Sequence, residues 1–380
     1  MRLFVSMVLT ALTVPAGAAE WPWMDSADDP NEVSVLLMGD TNLQGRSDPA
    51  EAYQYVRDTL LGADLRFANL ECALAGSDPD PLVDDIPHKS WIHSEPDQVR
   101  ALTSVRMDGV GIANNVNYPW RAVLKSIDVL DQAGIAHTGG GRNADEAREP
   151  IVFDVKGTRI GFLQYAATVF PFDHAATAER PGIAEIKVYT AYQAPPNLDK
   201  PGQPPVVITW PDDASLAGMQ ADIATLDDSV DVVIVSYHWG VSNTTEVVDY
   251  QSTVGRAAID AGADLVLGHG PHKFQKIELH DGRPILHSVA QFVFDDRIRL
   301  GKHKEGLLAR LLLRDGEIAG LSLVPSWRGD DNLVRLYSPR EGRGRELFGY
   351  LKSVNGPDGA ALDVVGDEIV VRGVGTADTP

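Results

Sequence analysis

The sequence predicts an α/β protein built on parallel strands. Three observations lead there. Apolar, β-branched runs of strand length recur along the chain. Amphipathic stretches of helical length separate several of them. The 380 residues, 44% hydrophobic and 23% charged, are enough for a sizeable core and too apolar for general disorder. Strands that alternate with helices pair in parallel, because each helix returns the chain to the same end of the sheet.

The elements follow in order. Strand-like runs occupy 33–38 (VSVLLM), 65–70 (LRFANL), 108–114 (DGVGIAN), 159–166 (RIGFLQYA), 230–238 (VDVVIVSYH) and 263–269 (ADLVLGH). Helical patterns occupy 49–62, 96–106, 119–133, 214–228 and 249–262, with Asp48-Pro49 and Tyr118-Pro119 as start signals. Residues 193–211 hold six prolines and read as a long surface excursion. Residues 274–288 read as a hairpin turning at Asp281-Gly282, with His280 and His287 expected on its surface. After Phe294 the pattern changes: 306–313, 317–325 and 367–372 read as antiparallel strands, with one helix near 341–354. The expected layout is a main domain over 32–300, a small C-terminal β-rich extension over 301–372 and a flexible tail over 373–380.

Residues 1–19 carry Arg2, an apolar stretch from Leu3 to Val14 and a small-residue site at Ala16-Gly17-Ala18. This is the pattern of a Sec-type signal peptide, followed by an exposed leader over 20–31. A periplasmic or secreted protein is expected. No later stretch is apolar for long enough to span a bilayer, so no transmembrane helix is expected in the mature chain. The single cysteine, Cys72, excludes an internal disulfide and reads as a buried small hydrophobe.

Charge narrows the partners. With 54 acidic against 33 basic residues the formal charge is −21. Sequence-independent binding to nucleic acid or anionic lipid needs a basic surface, which this chain lacks. A polyanionic partner needs a local cation to offset the field.

In open α/β sheets ligands bind beyond the carboxyl ends of the strands. Here those ends deliver Asp40, Glu71, Asn114-Asn115, His238, and His269 with His272. Each alone has an ordinary explanation in turn chemistry or a satisfied core histidine. Together they offer oxygen and imidazole donors without thiolate, a set that suits Mn, Fe or Zn, including a two-metal site with a bridging carboxylate. Among other residues, Gly139-Gly140-Gly141 reads as a flexible turn or an anion-binding nest. Trp210 and Trp239 read as packing residues or as stacking platforms for substrate.

The segments Gly39-Asp40, Ala68-Asn69-Leu70-Glu71, Ala113-Asn114-Asn115, His238-Trp239-Gly240 and Gly268-His269-Gly270-Pro271-His272 resemble the motifs of the CapA family of poly-γ-glutamate capsule biosynthesis proteins, related to the calcineurin-like metallophosphatases. The resemblance runs from about Val33 to Phe294. It implies a four-layer α/β/β/α sandwich and two divalent metal ions at one sheet edge. Asp40, Glu71, Asn115, His238, His269 and His272 would be the metal ligands, with Asn114 the alternative amide.

Two positions and one segment depart from the family pattern. Val116 stands where relatives continue with His, which would serve as general acid in the related phosphatases. Gly270 stands where a second His is usual. Ser288-Val289-Ala290-Gln291-Phe292 replaces Ser-Leu-Gly-Asn-Phe. His93 is the spare residue expected to donate a proton. The resemblance therefore implies a metal-dependent hydrolase of phosphoesters with reduced general-acid capacity, in capsule, polyglutamate or envelope-polymer biosynthesis. The alternatives are a non-catalytic factor that binds or exports an anionic polymer, and metal-assisted chemistry on a peptide or amide.

Overall fold

The computed structural model describes residues 32–76, 93–167, 174–197, 199, 202–295 and 303–375. The expected signal peptide and leader (1–31) and residues 376–380 of the expected tail lie outside them.

Two sheets face each other, each covered on its outer side by helices. In the ten-stranded sheet, Glu32–Asn42, Leu65–Leu70, Gly109–Gly111 and Ala136–Thr138 run parallel in that order. In the six-stranded sheet, Thr158–Ala166, Val232–His238, Leu265–His269 and Arg283–Leu286 run parallel in that order. Val35, Leu37 and Phe67 of the first sheet meet Phe162, Ile234 and Leu267 of the second in one inter-sheet core. Phe67 and Phe162 stack there with ring centroids 4.6 Å apart. Burying each such side chain contributes about 1.5–3 kcal/mol. Residues of opposite parity, such as Leu36, Met38, Ala68 and Leu70, face the helices Val99–Ser104 and Trp120–Ala133. Val233 and Val235 face the helices Asp213–Asp227 and Asp249–Asp260. The result is the four-layer α/β/β/α sandwich.

Local chemistry sets the helix limits. Asp212 accepts a hydrogen bond from the Ser215 amide and starts Asp213–Asp227. Trp120–Ala133 ends at Gly134, whose φ of 68° is the left-handed conformation glycine adopts freely. The hairpin Ile277–His280 with Arg283–Leu286 turns at Asp281 and Gly282, both at positive φ.

The C-terminal strands extend the first sheet. Glu305–Arg314 pairs antiparallel with Glu32–Asn42 along six residues, and Glu317–Arg328 pairs with Glu305–Arg314. The apolar alternation of 306–313 explains this: Leu307, Ala309, Leu311 and Leu313 all enter the inter-sheet core.

Three local expectations are corrected. Residues 193–211 are not simply an excursion: Val188–Gln193 and Val206–Pro211 form an antiparallel hairpin. The β-branched run Val206-Val207-Ile208-Thr209 makes the second strand, while five of the six prolines lie in the stretch of sequence between the two strands. Gly139-Gly140-Gly141 is neither a mobile turn nor a nest. All three are buried, and Gly140-Gly141 pairs with Gly182-Ile183. His287 is fully buried rather than on the surface, bonded to Glu278 at 3.1 Å and stacked against Trp239.

Gly268 illustrates how tightly strand ends are packed. A Cβ there would lie 2.1 Å from the His287 carbonyl oxygen. Backbone cannot yield as a side-chain tip does, so Gly268→Ala is expected to cost about 1–3 kcal/mol in urea denaturation.

Candidate metal centre

The parallel strands of both sheets end at one edge, and their last residues converge. Glu32–Asn42 breaks register with its neighbours between Met38 and Asp40. A bulge there re-aims side chains. Without it Asp40 would share the helix-facing parity of Leu36 and Met38; with it, Asp40 pairs with Asn69. Gly39 makes this possible, because a Cβ would lie 2.2 Å from the Ala290 carbonyl oxygen, which accepts the Asp40 amide.

Asp40, Glu71 and His238 are buried, with ligand atoms all within 4.8 Å of one another. His272 spans the two carboxylates: Nδ1 lies 2.9 Å from Asp40 Oδ2 and Nε2 lies 3.6 Å from Glu71 Oε1. His272 adopts φ 55° in the turn after Gly270. Left-handed backbone at a bulky residue costs of order 1 kcal/mol and clusters at functional sites. His269 Nδ1 lies 3.5 Å from Asp40 Oδ1, and His238 lies 4.0 Å from both carboxylates.

The structure thus brings together five of the six expected ligands. Asn115 follows the neighbouring strand Gly109–Gly111 at the same edge, and its buried Oδ1 accepts no hydrogen bond. Asn114 is excluded as the substitute by its own bonds. Its Oδ1 accepts from the amides of Val116 and Asn117, and its Nδ2 donates to Asn69 Oδ1 and the Leu70 carbonyl.

His93, the expected proton donor, is engaged with a loop carbonyl. Its Nε2 donates to the Tyr118 carbonyl at 2.9 Å, in the loop beyond Asn115. Cys72 points into the helix-side core, where burial pushes its thiol up to about 11, and so offers no thiolate. Trp239 is packing: its ring stacks on Tyr237 at 4.6 Å and its Nε1 donates to the His287 carbonyl. Trp210 lies on the exposed hairpin against Tyr189.

Sequence reasoning missed the amide network that holds the ligands. Asn69 Nδ2 donates to Asp40 Oδ1 at 2.8 Å and lies 3.2 Å from His238 Nδ1. Asn69 Oδ1 accepts from Gln164 Nε2, and Gln164 Oε1 accepts the Ala113 amide. The signal was present. An asparagine and a glutamine inside apolar central strands are costly unless every polar atom finds a partner.

Burial pushes the His238 imidazole down to about 3 and that of His269 to about 4. Both are neutral near pH 7, with lone pairs available. Burial alone would raise Asp40, yet its carboxyl is held well below the usual range, first by the His272 hydrogen bond and then by nearby histidine charge. Charge on His238 and His269 is incompatible with their own depressed values, so His272 is the cause that stands.

The donor set fits divalent cations. Both ring nitrogens of fully buried His269 lack a hydrogen bond, as does Asn115 Oδ1. Such groups are unfavourable without an occupant and suit a cation that accepts nitrogen and oxygen lone pairs.

The chain is similar to known proteins along most of its length. The family described as "Bacterial capsule synthesis protein PGA_cap" matches residues 25–296. The "Capsule biosynthesis protein CapA" of Bacillus anthracis is 24% identical over 342 residues, covering 85% of this chain and 75% of that protein. The "PGA biosynthesis protein CapA" of Bacillus subtilis (strain 168) is 24% identical over 291 residues, covering 74% of this chain and 68% of that protein. A crystal structure described as a novel phosphatase from Mycoplasma pneumoniae aligns with a TM-score of 0.45 and 12% identity, over 78% of this chain and 93% of that one. The family match spans most of the chain and takes in all six candidate ligands, so the chain belongs to the PGA_cap family of bacterial capsule synthesis proteins, whose fold is that of the calcineurin-like metallophosphatases.

Proposed function

We propose that this chain is an exported, divalent-metal-dependent hydrolase of phosphoester bonds, acting in the biosynthesis of a capsule or polyglutamate-type envelope polymer. One observation carries the reading: buried carboxylate and imidazole donors converge at one sheet edge, and His269 is left without a hydrogen bond. Asp40, Glu71, Asn115, His238, His269 and His272 would hold two ions of the Mn, Fe or Zn type, which supply Lewis-acid activation of water and of the ester oxygen. The names of the CapA relatives support the polymer context, and the pattern of residues 1–19 supports export.

The chain's own residues do the positioning. Asn69 orients Asp40 and His238, and Gln164 orients Asn69. Asp40 and Glu71 bring two negative charges that bound cations would neutralise. Proton delivery to a leaving group is weakly equipped. Val116 has no transferable proton, and the Nε2 proton of His93 is committed to Tyr118. Substrates with weakly basic leaving groups are therefore favoured. The same two residues favour the second reading, a metal-bearing factor that binds an anionic polymer without turnover.

Metal analysis of the purified mature chain, beside a panel of phosphomonoesters and diesters with added Mn²⁺, tests the proposal. A protein that retains no metal and hydrolyses none of the panel would refute it. Among the described residues no helix is long and apolar enough to cross a membrane, so the mature chain can be assayed first without detergent.

Val116→His should raise kcat on alkyl phosphates by about 100-fold, the lower end of general-acid contributions, and change p-nitrophenyl phosphate turnover little. The ratio of the two rates is the measurement. An unchanged ratio would show that the position following Asn115 does not reach the leaving group.

A further inference from the structure

Gln291 has no role in the reading so far, yet it stands beside the first ligand. In the parallel pairing of Glu32–Asn42 with Gln291–Phe294, Gln291 is the partner of Asp40. Paired residues on adjacent strands project from the same face, so both side chains leave the sheet on the ligand side. The backbone at this point is fixed: the Asp40 amide donates to Ala290, and the Ala290 amide donates to Ser288 Oγ. Ala290 is held at φ 58°, in the left-handed region, immediately before Gln291.

The Gln291 side chain is buried, at 3% exposure, and neither its Oε1 nor its Nε2 has a hydrogen-bond partner. A buried carboxamide with both ends unmatched calls for a ligand offering complementary atoms. Nearby donors are already committed. Asn69 Nδ2 serves Asp40 and His238, Asn114 Nδ2 serves Asn69 and Leu70, and the Gly270 amide faces Asp40. An anion entering the centre meets Asp40 and Glu71 and needs hydrogen-bond donors as well as cations. Gln291 is also one methylene longer than Asp40, so from the paired position its amide can extend further from the sheet than the carboxylate that would hold the cation.

We propose that Gln291 is an oxyanion-contacting residue of this centre, its Nε2–H donating to a phosphoryl or carboxylate oxygen of the bound ligand. The inference rests on the reading of the centre as a divalent-metal site.

Titration calorimetry on the full mature chain loaded with Mn²⁺ tests it, with inorganic phosphate and γ-linked triglutamate as separate probes and bound metal measured in parallel. Gln291→Met is expected to weaken binding of at least one probe roughly 10- to 100-fold, the range of a charge-assisted hydrogen bond, at unchanged metal content. Gln291→Glu, isosteric but without the donor, should weaken it at least as far, and decides the question if the methionine variant does not fold. The probe more affected identifies the oxyanion as phosphoryl or carboxylate.

Unchanged affinities in the folded variants would overturn the proposal and leave Gln291 a holder of buried water. Metal lost in Gln291→Met and restored in Gln291→Glu would overturn it in favour of a cation ligand. A wild-type protein that holds metal but neither probe would overturn it alone. A wild-type protein that takes up no metal would overturn the metal-site reading itself, and this inference with it.

Discussion

Asp40→Ala should leave the protein folded but unable to retain divalent metal, with affinity down at least 100-fold. Three groups converge on this carboxylate: Asn69 Nδ2 at 2.8 Å, His272 Nδ1 at 2.9 Å and the Gly270 amide at 3.4 Å. Removing it takes away one of the two acids of the cluster and the group that fixes His272 and Asn69. Losing an outer-shell partner alone costs 10- to 100-fold in metal affinity, and a direct ligand exceeds that range. Fold stability should fall by about 1–3 kcal/mol, because buried donors lose their acceptor. Metal content after dialysis and calorimetric unfolding measure the two effects separately. Asp40→Asn keeps the shape and removes the charge, so it should keep most of the stability and still lose metal. Wild-type metal content in both variants would remove Asp40 from the ligand set.

The metal-free protein should lose stability steeply as pH falls from 6.5 towards 4. An unfolded histidine gains its proton near pH 6.5. In the folded state His238 and His269 stay neutral down to about 3 and about 4, because burial disfavours their charged forms. Between these limits the unfolded chain binds two more protons than the folded one. Acid therefore favours unfolding, by about 1.4 kcal/mol per pH unit for each histidine, and the stability is fully present only above pH 6.5. Asp40 extends the trend. Its folded value is depressed, so the stability it contributes is present above its ordinary value of 3.8 and is lost as pH falls further. Urea midpoints of chelator-treated protein across pH 4–7 measure the slope. A His238→Gln, His269→Gln double variant should flatten it, since neither replacement titrates there. An equal slope in wild type and double variant would place the acid sensitivity elsewhere.

The candidate ligands were legible in the sequence because their positions depend on one-dimensional facts. Strand-length apolar runs locate the strands, and the residue after each run marks the carboxyl end of a parallel strand. Asp40, Glu71, the pair Asn114-Asn115, His238 and His269 all follow from that rule, and His272 from its place in the adjoining turn; the choice of Asn115 within the pair came from the family resemblance. The bond from His93 to the Tyr118 carbonyl was not legible, because it joins two loops that no periodicity reports. His287 was misplaced because alternation in a hairpin cannot tell an exposed hairpin from one docked beside Leu265–His269. The strand Val206–Pro211 was obscured by prolines that belong to the neighbouring loop.

The sequence by itself determined the fold class, which segments are the strands that end in candidate donors, and the chemistry of those donors, since strand period and strand end are properties of local residues. Tertiary structure alone decided which side chains stand beside one another. The bulge at Gly39-Asp40 turns the first carboxylate towards the second sheet, and Asn69 and Gln164 lock it there. The parallel pairing with Asp40 sets Gln291 at the same site. Lateral neighbours in a sheet come from strand order and register, which are fixed by burial across the whole molecule rather than by any local pattern.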